Sequence, residues 1–215
     1  YKFSDASFKD TVLKLTLTED PEPESFRRLS ELASADRPDE KICPKVYSTA
    51  RCQEFNDYNE PTRTWFGWLA EMATPLDRYM NHLTNTRQYD ERLVCLKLTL
   101  HKMIVAALNG LMLSDNNLFN FGVIDGTVVI IDAGSRGFTE DEIKKSTLNC
   151  KAIRGWWGKL AVQCKAEELV QLKTIWNAGH SLQETLELLE KDLWATKRTE
   201  VVPIHDSGAI CDDEI

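Results

Sequence analysis

The segment "NLFNFGVIDGTVVIID", Asn117 to Asp132, constrains the fold more than any other part of the chain. Two runs rich in Val, Ile and Phe flank Asp125-Gly126, a dipeptide that supplies the positive φ angles of a tight hairpin turn. "NLFNFGV" and "TVVIID" are therefore expected to be two strands of one hairpin. A hairpin returns its outer ends to one place. Asp115, just before the first strand, and Asp132, at the end of the second, should then share a side, with Asn120 between them. Asp132 follows a run of apolar residues, so it is expected at a buried strand end, where an unpaired carboxylate is costly. Two carboxylates and one amide oxygen form a hard-oxygen site suited to Mg2+ and phosphate.

Elsewhere, periodicity predicts strands early and helices late. "TVLKLTL" (Thr11–Leu17) alternates and reads as a strand. "ESFRRLSELAS" places Phe26, Leu29, Leu32 and Ala33 on one helical face. "ICPKVYSTA" reads as an extended segment interrupted by Pro44, and the polar run "RCQEFNDYNEPTR" as a loop or hairpin tip. "TWFGWLAEMA" is a second strand. "TPLDRYMNHL" opens a helix, with Thr74 as its cap and Pro75 in its first turn. "YDERLVCLKLTLHKMIVAALNGL" should be a buried helix ending at Gly110. Further helices are expected over Asp141–Cys150, Trp157–Ala178 and Leu182–Lys197, the last opened by a capping box of Ser181 and Glu184. The pattern predicts an α+β protein with a cleft between a sheet-rich lobe and a helical lobe.

Charge and cysteines narrow the function. A net charge of −8 over 215 residues argues against general nucleic-acid binding, which needs excess Lys and Arg. Cysteines 43, 52, 95, 150, 164 and 211 form no CxxC pair, so a structural zinc site is not expected. Most of them lie in apolar runs, as buried free thiols of a reducing, cytoplasmic compartment do. No apolar run reaches the ~18 residues that suggest a membrane span, and no secretory signal is visible. A first residue of Tyr points to a fragment of a longer protein.

Around the hairpin the sequence resembles the protein-kinase superfamily. "SDNNLFN" has the catalytic-loop spacing Asp-x4-Asn at Asp115 and Asn120, and "IDAG" at Ile131–Gly134 is similar to the Asp-Phe-Gly metal loop. "TVLKL" resembles the strand carrying the nucleotide lysine, here Lys14. The next helix offers Glu31 as its ion-pair partner, ahead of Glu24. "WFGWLAEMATPLDRYM" resembles the strand, hinge and helix that follow, with Ala70 in the gatekeeper place and a hinge at Glu71–Ala73. The motifs keep the family's order over Thr11–Gly137.

The resemblance implies a sheet-rich lobe over 1–73, a helical lobe over 74–200 holding the catalytic hairpin 111–137, and an acidic tail over 201–215. It implies ATP and Mg2+ as cofactors and a protein substrate or regulatory protein as partner. Lys14 would hold phosphates, Glu31 would orient Lys14, and the hinge with Glu71 and Ala73 would take the nucleotide. Asn120 and Asp132 would hold the metal, and Asp115 would act on the acceptor hydroxyl. The activity implied is that of an atypical protein kinase. Effector-type members of this kind are delivered into a host cell.

The sequence also departs from the family. Leu113 and Ser114 replace the His and Arg before the catalytic Asp, no glycine-rich loop precedes Lys14, and no Ala-Pro-Glu motif follows Gly137. Alternatives therefore stand beside phosphoryl transfer: a pseudokinase serving as a scaffold, a kinase fold moving AMP, or an unrelated α+β interaction domain. Plainer roles also compete. Lys14 would serve as a strand-edge lysine, Glu31 as a solvated helix residue, and Asp115 and Asn120 as turn formers. An Asn inside an apolar strand favours function for Asn120. The histidines share no ligand spacing, and the paired tryptophans of "RGWWGK" read as a core anchor.

Overall fold

A computed structural model describes residues 10–17, 23, 26, 27, 30, 31, 41–109, 118–132, 160–162 and 164–199, the last four by backbone alone. It is an α+β structure with two small antiparallel sheets. In the first, strand β1 (Thr11–Thr16) and the long strand β2 (Val46–Phe55) flank β3 (Pro61–Glu71), giving the order β1-β3-β2. In the second, a two-residue strand β4 (Thr74–Pro75) pairs with β5 (Phe121–Ile124), which pairs with β6 (Thr127–Ile130).

Of the two readings of the polar run, loop or hairpin tip, the structure takes the hairpin. Residues 51–55 pair with β3 from Phe66 back to Pro61, so the tip itself is only Asn56–Glu60. Cross-strand contacts explain this, because Trp65 Nε1 donates to Glu54 Oε2 at 3.2 Å and the Arg51 guanidinium lies 5.0 Å from the Phe66 ring. At the tip, Asn56 Oδ1 accepts the backbone N–H groups of Tyr58 and Glu60. The extended segment before it becomes strand only at Val46, two residues after Pro44.

Thr74 is not a helix cap. It pairs with Val123 as part of β4, and helix α1 (Leu76–Asn85) starts after Pro75. Proline disfavours helical backbone at the residue before it, so Thr74 stays extended and joins the sheet. α1 buries Leu76, Met80 and Leu83, one turn apart. The expected long helix is α2 (Tyr89–Leu108), with Leu96, Leu100, Met103 and Ile104 fully buried.

The helix expected over Trp157–Ala178 is interrupted. Lys165 is extended, and its N–H donates to Glu168 Oε2 at 2.7 Å, so α3 runs from Ala166 to Ala178. α4 (Leu182–Thr199) opens as expected on Ser181, whose Oγ accepts the Glu184 N–H at 3.1 Å. Glu184 reaches back to the His180 N–H rather than to that of Ser181. The helix predicted over Asp141–Cys150 lies outside the described residues, as do Leu29, Leu32 and Ala33.

One apolar core joins the parts, running from Phe26, Ile42 and Trp68 through α1 and α2 to Phe121, Val128, Leu172 and Leu189. Buried Cys43 and Cys95 belong to it, and burial pushes the Cys95 thiol up to about 12. Cys52, in the polar run, sits exposed on the ribbon. Among the described residues, no helix is long and apolar enough to cross a membrane.

Candidate functional site

The hairpin forms as its turn chemistry requires. Asp125 and Gly126 take φ values of 50° and 75°, and the ladder runs from Phe121↔Ile130 to Ile124↔Thr127. Asn120, however, lies outside the strand, in a single 3-10 turn over Leu118–Asn120. The argument from an Asn within an apolar strand therefore fails. Another feature takes its place. The Asn120 carbonyl accepts N–H groups from Ile131 at 2.8 Å and Asp132 at 3.3 Å, closing the open end of the hairpin. Asn120 and Asp132 are thus set side by side by backbone bonds. Asp132 is less buried than expected, with 49% of its side chain exposed, because β6 ends at Ile130 and the next residues leave the sheet.

Lys14 reaches this place from the other sheet. Its Cα partner across β1 and β3 is Trp68, so both side chains share a sheet face. The Lys14 ammonium lies 5.4 Å from the Trp68 ring centroid and 3.9 Å from Asp132 Oδ1. Residues separated by more than a hundred positions therefore meet: the Lys14 ammonium and the Asp132 carboxylate, with the backbone of Asn120 bonded to that of Asp132.

The hinge residues take their places between the sheets. Glu71 ends β3, and the chain crosses to β4 through Met72 and Ala73. The Glu71 carboxylate accepts from Lys41 Nζ at 2.6 Å and from the Lys45 N–H at 3.3 Å. Lys41 also reaches Asp125 in the hairpin turn at 3.3 Å, and Ile42 accepts the Ile130 N–H through its carbonyl. Burial pulls the Lys41 pKa down, but Glu71 and Asp125 together outweigh it and raise the net value. Ala73 packs so close to β5 that a Cβ on Gly122 would stand 2.7 Å from its own Cβ, so only glycine fits there. Ala70 is buried, next to this crossing.

Glu31 is helical and mostly exposed, and it forms an ion pair with Arg27 one turn before it. Asp115 and the candidate Glu24 lie outside the described residues. Residues that sequence reasoning missed are Lys41 and Trp68. A lone lysine in "DEKIC" carries no signal, whereas Trp68 is legible as the cross-strand neighbour of Lys14 once β1 and β3 are aligned.

Can these residues hold a metal? Among the described residues, no group of three or more His, Cys, Asp or Glu could cage an ion. Mg2+ carried by a nucleotide needs no such cage, since one or two protein ligands, phosphate oxygens and water complete its octahedron. Asp132 and Asn120 carry oxygen donors of the type such an ion takes. The sequence matches no protein-family model and no curated protein.

Proposed function

We propose that the chain is an atypical, protein-kinase-like phosphotransferase with two lobes, binding ATP and Mg2+ and phosphorylating a protein hydroxyl. The observation that carries this reading is the meeting of Lys14 with Asp132 at 3.9 Å, with Asn120 bonded beside it. Each was singled out by motif order, and convergence of such distant positions has no need to occur in an unrelated domain. The order β1-β3-β2 adds support, because it seats the lysine strand beside the strand that leads to Glu71–Ala73.

On this reading Lys14 holds phosphate oxygens, and Glu31 belongs to the helix that orients it. The backbone at Glu71–Ala73 would border the base, while Asn120 and Asp132 would hold the metal, whose contribution would be to neutralise phosphate charge. Asp115 orients the acceptor hydroxyl and takes its proton. The hydroxyl oxygen bonds to the γ-phosphorus as the bond to the bridging oxygen breaks, and ADP leaves with that electron pair. Rate acceleration comes from positioning and charge neutralisation.

The test is thermal unfolding with and without Mg-ATP, followed by intact-mass measurement of candidate protein substrates. Mg-ATP at a hundredfold excess over its Kd should stabilise the fold by ~2.7 kcal/mol. A melting curve indifferent to millimolar Mg-ATP sinks the reading. Stabilisation without any mass change assigns a nucleotide-binding scaffold instead, and a gain of one AMP assigns adenylyl transfer.

A further inference from the structure

We propose that Trp68 is the positioning residue for Lys14, an inference that rests on the nucleotide reading for its functional consequence but not for its geometry. A lysine side chain has four rotatable bonds, and a long, half-exposed ion pair restrains them weakly. The Lys14 pair with Asp132 is 3.9 Å long, with 34% and 49% of the two side chains exposed. Water competes for such a pair. The Trp68 ring gives the ammonium a second, drier surface, 5.4 Å away and within the range of cation–π attraction.

The ring itself is held. Trp68 is 4% exposed, and Phe26, fully buried, meets it edge-on with centroids 5.4 Å apart and planes at 78°. Phe26 stands in the same helical region as Glu31. A contact chain thus runs from that region through Phe26 and Trp68 to Lys14 and Asp132, linking it to the proposed metal site.

The choice of indole over phenyl supports a role beyond packing. Among the described residues, Trp68 Nε1 is buried without a hydrogen-bond partner, which is a cost that phenylalanine would avoid. Tryptophan, however, offers the strongest π-face for a cation. A side chain selected for packing alone would favour Phe, whereas one selected to hold an ammonium would keep Trp.

The experiment combines lysine-labelled NMR with Mg-ATP titration of wild type, Trp68→Phe and Trp68→Leu. The Lys14 ε-methylene signal, assigned by its loss in Lys14→Arg, should be ring-current shifted in wild type without nucleotide. It should move toward the free-lysine position in Trp68→Leu. Trp68→Phe keeps a ring in the core and should bind Mg-ATP roughly threefold more weakly than wild type. An unshifted Lys14 signal in wild type overturns the proposal. Where wild type binds Mg-ATP, a Trp68→Phe protein with unchanged affinity overturns it as well, since packing alone then explains the ring. If wild type ignores Mg-ATP while the Lys14 shift is present and lost in Trp68→Leu, the positioning stands and the nucleotide reading falls.

Discussion

Two ion pairs in this molecule are built to opposite specifications. Arg92 on α2 and Glu168 on α3 lie 2.6 Å apart with side chains 10% and 8% exposed. Every polar side is used: Arg92 also donates to Thr84 Oγ1 at 3.2 Å, and Glu168 also accepts the Lys165 N–H. Lys14 and Asp132 sit 3.9 Å apart, partly open to water. The first pair is closed and has no room for a ligand, so its effect is to fix helices. The second is longer, and water reaches part of each side chain. Short and buried marks scaffold here, whereas the long, half-open pair is the one to which the proposed chemistry is assigned.

The comparison can be broken at its strongest point first. Glu168→Ala strands a buried guanidinium and removes the bond to the Lys165 N–H, and should destabilise the fold by about 3–5 kcal/mol in denaturant unfolding. A loss below ~1 kcal/mol would show that the pair is not the scaffold described. Asp132→Ala sharpens the other side. It should change unfolding free energy by no more than ~1 kcal/mol, because half-exposed pairs contribute little. Protection by Mg-ATP should nevertheless disappear. Asp115→Ala should keep that protection and lose phosphate transfer, since its assigned role is toward the hydroxyl. Equal weakening of nucleotide binding by both changes would overturn the division of roles.

Much of this was legible in residue order. Asp125-Gly126 announces its hairpin because few dipeptides tolerate two positive φ angles, and the structure keeps both. The period of Leu76, Met80 and Leu83 announces α1. What could not be read depended on partners distant in sequence. Thr74 carries a cap signature, yet Val123 claims it for a sheet. The polar ribbon reads as loop or hairpin tip until Cys52 is paired with Trp65. Asn120 and Asp132 are recognisable by spacing, but the backbone bonds that set them together show only in three dimensions. Lys41 carries no motif, and its contacts with Glu71 and Asp125 give it significance.

The order β1-β3-β2 has a consequence in time. β2 and β3 are joined by a short tip, and Glu54 pairs with Arg63, so their ribbon closes with little loss of chain entropy. β1 must find β3 across a long stretch of sequence, with Thr11 facing Glu71. Non-local pairings form slowly. During refolding, pulse-labelled amides of β2 and β3 should therefore gain protection before those of β1, and simultaneous protection would refute this order. The lysine on which the proposed chemistry depends is then a late arrival. A nascent or partly unfolded molecule would hold its ribbon complete while Lys14 is still apart from Asp132.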